Sequence, residues 1–186
     1  MEKNNKFGVK NIVYIAVFSI LIAICSWISI PSTIPFTLQT FAVFLTIYLL
    51  GGRDATISII VYLLLGIIGV PVFSNFGSGI GVIIGPTGGY LIGFIFISLI
   101  MWLIETIFKN KLVFKIIGSI IGLIVCYVFG TIWFQYIYLS GDTTFLATLS
   151  ICVLPYIIPD IIKIAIALLL DERLKKILGL KNLELD

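Results

Sequence analysis

Two residues of opposite charge lie inside the last long apolar stretch of the chain and are its strongest candidates for chemistry. Asp160 precedes Lys163 by three residues, so on a helix both side chains lie on one face and can form an ion pair. A charge at membrane depth costs about 2.5–3.5 kcal/mol on insertion scales. We therefore expect the pair to bind a polar ligand, the alternative being an ion pair that only joins two helices.

The composition is that of an integral membrane protein. The chain has 186 residues, of which 60% are hydrophobic and 11% are charged, whereas soluble domains have about 25% charged residues. The length suits six membrane spans and leaves no room for a second, soluble domain. We expect an all-α fold in which residues 1–186 form one six-helix transmembrane domain. Membrane lipid is then an expected partner, and nucleic acid is not, since no basic stripe interleaved with aromatic residues occurs.

Six apolar segments supply the expected spans, namely residues 11–30, 36–50, 55–70, 88–108, 113–139 and 145–170. Nearly all basic residues fall on one side of these segments. Those outside the sixth segment precede the first, lie between the second and third or around the fourth-to-fifth connection, or follow the sixth: Lys3, Lys6, Lys10, Arg53, Lys109, Lys111, Lys115, Arg173, Lys175, Lys176 and Lys181. The positive-inside rule places both termini and these connections in the cytoplasm.

The connections on the other side contain a single charge, Asp142, and are rich in Gly, Pro, Ser and Thr. They comprise residues 30–40, residues 71–90, and a third stretch that runs from Gly141 to Pro159. Irregular backbone at membrane depth must be buried in protein or line a cavity, and the second connection is longer than a turn requires. We therefore predict an outward-facing ligand pocket capped by these extracellular loops, the alternative being ordinary tight turns.

Pro155 and Pro159 determine how deep the charged pair lies. Proline is favoured in the first turn of a helix and breaks one further on. We favour a final helix that begins near Pro159, after a separate short helix within residues 145–157, so that Asp160 and Lys163 lie in its first turns. A helix that begins near Phe145 and kinks would instead put the pair near mid-membrane.

The chain offers little for catalysis. It has no His, and Cys25, Cys126 and Cys152 lie far apart in apolar context, so neither a metal site nor a catalytic dyad is indicated. The glycines of residues 77–89 are not followed by Gly-Lys-Ser/Thr and form no Walker motif. We expect no enzyme activity, no metal and no cofactor, and any ATP hydrolysis is expected only in partner subunits.

Four motifs occur in a characteristic order: Pro35-Phe-Thr-Leu-Gln39, Gly69-Val-Pro-Val-Phe73, Gly85-Pro-Thr-Gly-Gly-Tyr-Leu-Ile-Gly-Phe94 and Pro159-Asp-Ile-Ile-Lys163. Together they resemble the BioY family, the biotin-specific substrate-capture (S) subunits of energy-coupling factor transporters, over about residues 12–178. The resemblance implies a multi-pass protein of the cell membrane that captures biotin from outside. It also implies a transmembrane coupling subunit and two ATP-binding subunits as partners. Biotin would be a transported ligand, not a cofactor.

The resemblance also implies roles for individual residues. Asp160 would accept hydrogen bonds from the ureido N–H groups of biotin, and Lys163 would donate to the ureido oxygen or the carboxylate. The expected supporting groups are Asn75, Thr87 and Gln39 for hydrogen bonding, and Phe36, Phe73, Tyr90 and Trp27 for covering the rings and tail. Members of the family tend to dock the coupling subunit through an Ala-xxx-Ala patch on the first helix. Here the nearest match is Ser19-xxx-Ala23, with Ala16 beside it.

Two other functions are compatible with parts of the sequence. A capture subunit for riboflavin or thiamin would share the helical architecture, although the Pro159-Asp-Ile-Ile-Lys163 and Gly85-Pro-Thr-Gly-Gly-Tyr90 motifs favour biotin. The alternative from a different class is a membrane assembly subunit without a ligand, or a channel. A channel should repeat polar positions along several helices, and segments one, four and five have too few.

Overall fold

The computed structural model describes residues 8–32, 34–108, 111–139 and 144–178. Within these ranges the chain forms seven helices and one small antiparallel sheet. The helices are α1 (Val9–Trp27), α2 (Gln39–Ile67), α3 (Ile80–Ile84), α4 (Gly88–Phe108), α5 (Leu112–Trp133), α6 (Phe145–Cys152) and α7 (Leu154–Leu178). Strands β1 (Ser29–Ile30) and β2 (Phe36–Thr37) pair in the first connection. Short turns of 3₁₀ helix at Ser74–Phe76 and of π helix at Phe134–Tyr138 complete the elements.

Several of these helices can cross a membrane. Four described helical stretches are long and apolar enough, and the pair formed by α6 and α7, bent by 45°, is a fifth. The exposed surface of these helices is rich in isoleucine, as expected for side chains that face lipid. The prediction of an all-helical membrane protein is therefore confirmed, with the two-residue strands as a small addition.

The stretch named α2 is a helical hairpin. Gly51 has backbone angles of φ 80° and ψ 161°, which lie far outside the helical region and interrupt the helix. In a straight helix, the 23 residues between Gln39 and Tyr62 would span about 34 Å. Instead, Gln39 Nε2 donates to Tyr62 Oη over 2.8 Å, so the two halves run back alongside each other. The turn is held by Glu105, whose Oε2 accepts from the backbone N–H of Gly52 at 2.6 Å. The halves correspond to the second and third predicted segments.

The two ends of the bundle differ in chemistry. At one end the uncharged connections meet: Trp27 Nε1 donates to the carbonyl of Pro71 at 2.9 Å, and Ser26 Oγ donates to that of Val72 at 2.5 Å. At the other end lie charged contacts, such as Asn11 Nδ2 to Asp54 Oδ2 at 3.3 Å. The predicted separation of charged and uncharged connections is therefore present, although Lys3, Lys6, Lys109, Asp142 and Lys181 lie outside the described residues.

Lys115, which the sequence analysis grouped with the basic residues around the fourth-to-fifth connection, is buried in the bundle. It lies in the first turn of α5 with 7% of its surface exposed, and its Nζ is 2.6 Å from Asp171 Oδ2 on α7. Lys175 Nζ is 3.3 Å from the other oxygen of Asp171. The sequence prediction missed this second buried charged cluster because Lys115 stands next to the basic residues of the connection, and its partner is 56 positions away.

The last helix also begins earlier than predicted. The short helix α6 is separate, as expected, but α7 starts at Leu154 and contains Pro159. Pro155 occupies the first turn, where its missing N–H has no intrahelical partner to lose, and the helix continues through Pro159. Asp160 is therefore in the second turn of α7 rather than at its start.

Candidate functional site

The Asp160–Lys163 pair is formed and buried. Lys163 Nζ donates to Asp160 Oδ1 at 2.8 Å, and the two residues are 6% and 4% exposed. The second carboxylate oxygen accepts from the hydroxyl of Tyr127 on α5 at 2.6 Å. The ammonium group also lies 4.2 Å from the ring centre of Phe36, within the range of a cation–π interaction. Three elements thus hold the two charges in place.

The pair lines a cavity of about 70 Å³ between α2, α4, α5 and α7 and under the uncharged connections. Its walls combine a few polar groups with aromatic and aliphatic side chains. The lining includes Gln39, Thr40, Phe73, Thr87, Tyr90, Phe94, Cys126, Tyr127, Tyr156, Asp160 and Lys163. A mostly apolar pocket with a few convergent polar groups is the usual form of a small-molecule site.

Four of the predicted ligand-binding residues besides the charged pair line this cavity. Gln39 begins α2 and is oriented by its bond to Tyr62, against which Phe73 packs edge-on with ring centres 5.6 Å apart. Thr87 precedes α4, and its carbonyl accepts from the backbone N–H of Tyr90 at 3.1 Å. The hydroxyl of Tyr90 lies 3.3 Å from Thr131 Oγ1. Together with the charged pair, these residues come from all four quoted motifs.

Three of the predicted residues lie outside the lining of the cavity. Phe36 covers Lys163 from the β2 side without being part of the lining. Asn75 is exposed, has a left-handed backbone with φ 55°, and its Oδ1 accepts from Ser29 Oγ at 3.1 Å. Trp27 stacks on Phe76 with ring centres 5.1 Å apart. A role for these side chains in ligand binding remains a prediction.

At the mouth of the cavity, the first connection contacts α7. The hydroxyl of Tyr156 donates to the carbonyl of Ile34 and lies 3.1 Å from Ser32 Oγ. Its ring stacks on Phe36 with centres 6.1 Å apart. The first connection is therefore fastened to the helix that carries the charged pair.

The sequence analysis missed Tyr127 and Tyr156. Tyr127 is a phenol within an otherwise apolar stretch of α5, and a buried tyrosine hydroxyl usually has a hydrogen-bond partner. That rule, applied to the fifth segment, would have indicated a polar group opposite it. Tyr156, one residue after Pro155, carried no comparable signal because its partner is a backbone carbonyl 122 residues away.

The predicted docking patch on α1 needs correction. Ser19 and Ala23 are 1% and 4% exposed, and Ser19 Oγ donates to the carbonyl of Ser58 in the second half of α2 at 2.8 Å. These two small residues serve close packing inside the bundle and are not available to a partner. Ala16 is exposed, beside Val13 and Val17 on the outer face of α1.

The geometry of the cavity suits a ligand with its own donors and acceptors. One wall offers a carboxylate oxygen as acceptor and an ammonium group as donor, and aromatic rings provide apolar cover. Because both charges are desolvated, a ligand lacking matching groups would leave them less well paired than one that has them. Such an arrangement can discriminate between ligands by the donors and acceptors that they present.

Comparison with known proteins identifies the family. A model of the BioY family matches residues 1–180. The chain belongs to the BioY family. A "Biotin transporter BioY" of Thermotoga maritima is 36% identical over 90% of this chain and 97% of its own length. A "Probable biotin transporter BioY" of Pyrococcus horikoshii is also 36% identical, over 89% of this chain and 96% of its own length.

A solved structure has the same fold. It is the crystal structure of "the S-component for biotin from an ECF-type ABC transporter", with a TM-score of 0.79, 29% sequence identity and 95% of each chain covered. The family, with the apolar helices described above, makes this chain a multi-pass membrane protein. The resemblance drawn from the four motifs is confirmed.

Proposed function

We propose that the chain captures biotin at the cell membrane as the substrate-specific subunit of an ATP-driven energy-coupling factor transporter. The observation that carries the proposal is the buried Asp160–Lys163 pair, held by Tyr127 in the wall of the cavity. Membership in the BioY family and the names of its relatives point to the same ligand.

The chemistry of biotin matches the cavity. Its ureido ring has two N–H donors and one carbonyl acceptor, and its tail ends in a carboxylate. Asp160 would accept from a ureido N–H, and Lys163 would donate to the ureido oxygen or to the carboxylate. Thr87 and Gln39 would complete the hydrogen bonds within the cavity, and Asn75 would do so from its edge. Phe73, Tyr90 and Phe36 would cover the apolar parts, consistent with the edge-on and cation–π contacts these rings already make.

The proposed topology has six membrane crossings, both termini in the cytoplasm and a cavity that opens outward. Counting the two halves of α2 as separate crossings supports six, because the hairpin at Gly51 returns the chain to the side from which it came. The basic residues at the opposite end from the cavity support the orientation.

The proposed partners are a transmembrane coupling subunit and two ATP-binding subunits. The chain itself would hydrolyse nothing, and its role would be to bind biotin and present it to these partners. The exposed face of α1 around Ala16 is the surface we propose for docking. Apolar side chains surround it, including Val13, Val17 and Ile20 at 52–56% exposure, as expected for a helix that packs against another membrane helix.

Binding of tritiated biotin to the purified subunit in detergent tests the proposal. Asp160→Ala and Lys163→Ala should each abolish tight binding. Asp171→Ala is the matched control, since Asp171 is an equally buried, ion-paired carboxylate on the same helix that does not line the cavity. It should bind biotin normally in the folded fraction. If the folded wild-type protein does not bind biotin but binds riboflavin or thiamin, it is a capture subunit for that vitamin. If it binds none of these vitamins, the result favours an assembly subunit without a ligand.

A further inference from the structure

A second, purely apolar recess lies between α5 and α7 on the outer surface of the bundle. It has a volume of about 470 Å³ and is separate from the polar cavity except for the shared side chains Leu123 and Tyr127. Ile120, Ile124 and Ile161 on its rims are 52–55% exposed. Since both helices belong to candidate membrane spans, this recess, here called the α5–α7 groove, opens toward the lipid hydrocarbon.

Polar contacts between α5 and α7 mark the two ends of the groove. At the cavity end Tyr127 binds Asp160 at 2.6 Å, and at the charged end Lys115 binds Asp171 at 2.6 Å. The 12 residues from Lys115 to Tyr127 rise by about 18 Å along the helix. Half of the hydrocarbon core of a bilayer is about 15 Å thick. The groove therefore has the length of an acyl chain from one leaflet.

The charged end of the groove is basic. Lys115 and Lys175 flank Asp171 there. Lys111 and Lys176 are exposed and lie within four residues of these lysines along the chain, and the same stretch holds the exposed Arg173 and Glu172. Basic groups between membrane helices attract the headgroups of anionic lipids. An acyl chain in the groove would bring its headgroup to this end.

We propose that the α5–α7 groove binds one anionic phospholipid, with an acyl chain against α5 and α7 and the headgroup at Lys111 and Lys176. The length of the groove, its apolar walls and the basic residues at one end all favour a lipid. A membrane helix of another protein would need apolar contacts at both ends of the groove, and one end is charged. The bound chain would complete the wall behind Leu123 and Tyr127 and so separate the polar cavity from the hydrocarbon. The proposal does not depend on which ligand the cavity takes.

Native mass spectrometry of the whole subunit tests the proposal. After delipidation in detergent, the protein is titrated with phosphatidylglycerol or with phosphatidylcholine of identical chains. Wild type should retain one phosphatidylglycerol in preference to phosphatidylcholine by about 30-fold, because each of two basic groups near the headgroup contributes roughly fivefold. The double variant Lys111→Gln/Lys176→Gln should lose this preference while retaining the weaker binding of both lipids.

Variants that fill the groove give the second arm. Ala165→Phe on α7 and, independently, Ile120→Trp on α5 place bulk inside it, and each should reduce phosphatidylglycerol retention at least tenfold. Ala147→Phe on the exposed face of α6 is the matched control and should retain the lipid. Unchanged retention by both folded groove variants, equal retention of the two lipids by wild type, or a dimer that excludes lipid would each overturn the proposal.

Discussion

The charged pair allows a test that separates structural stabilisation from ligand binding. In Asp160→Asn the side chain keeps its shape and its bond from Tyr127, but Lys163 loses its counter-charge while remaining 6% exposed. Removal of one partner of a buried ion pair costs about 3–5 kcal/mol. The double variant Asp160→Asn/Lys163→Met removes both charges, and neutral replacement of a buried pair often costs little. Stability should therefore fall in the single variant and largely recover in the double variant.

Unfolding can be followed through Cys25, Cys126 and Cys152, which are free and buried and become reactive to a thiol dye when the protein opens. For a chain of this size a loss of 3–5 kcal/mol lowers Tm by about 6–20 °C. Affinity for biotin is measured on the same samples. Loss of one hydrogen bond to a charged group costs about 1.5–3 kcal/mol, or roughly 10–150-fold in Kd.

The two readouts should diverge. We expect the double variant to be stable and still unable to bind biotin tightly, because the polar groups that meet the ligand are gone. A double variant that is stable and binds like wild type would show that the pair only joins parts of the bundle, and the argument for a ligand site at α7 would fail. Asp171→Asn provides the comparison, since it should lower stability by a similar amount and leave the affinity unchanged.

Three further predictions concern a hydrogen bond, a close packing contact and the membrane topology. Tyr127→Phe should weaken biotin binding by roughly tenfold or more, since it removes a hydrogen bond to the charged acceptor of the site, and this is measured by equilibrium binding of tritiated biotin. Gly52→Ala should destabilise the fold by about 1–3 kcal/mol through overpacking, because a Cβ there would lie 2.4 Å from the backbone of Trp102; thiol-dye unfolding reports it. In right-side-out vesicles, an impermeant thiol reagent should label Ser78→Cys from outside and Glu172→Cys only after the membrane is permeabilised.

Each of these predictions has a control or a contrary outcome. Gly81→Ala is the partner of the Gly52 variant, since nothing lies within 4 Å of a Cβ at that position, and it should leave Tm unchanged. An unchanged affinity in Tyr127→Phe would mean that Lys163 alone holds the carboxylate in place. Labelling of both new cysteines in sealed vesicles would contradict the proposed six crossings.

The sequence alone predicted those parts of the fold that depend on composition and on local pattern. The apolar segments, the asymmetric distribution of Lys and Arg, and the i, i+3 spacing of Asp160 and Lys163 are local signals. They were enough to predict a helical membrane protein with a buried charged pair near the uncharged connections. The order of four short motifs added the family.

The features that were missed depend on contacts between distant parts of the chain. The ion pair of Lys115 with Asp171 cannot be predicted from the sequence around either residue, because a lysine near a basic connection is normally solvated. The start of α7 at Leu154 was misjudged because two prolines compete for the first turn, and only packing decides between them. Ser19 and Ala23 are small enough for close approach, but the sequence does not indicate whether a neighbour in the same chain or a partner subunit makes that approach.

The fastening of the cavity mouth has a consequence for rates. Trp27 binds Pro71, Ser29 binds Asn75, and Tyr156 binds Ile34, so the connections that cover the cavity are joined to one another and to α7. If one of these connections lifts, its hydrogen bonds to the others must break, so we expect wide opening of the mouth to be concerted. Association that waits on such a change is slower than the 10⁵–10⁷ M⁻¹s⁻¹ of rigid partners. Exchange of ligand should then be limited by how often the mouth opens, so that a molecule once enclosed would dissociate slowly even where its individual contacts are weak.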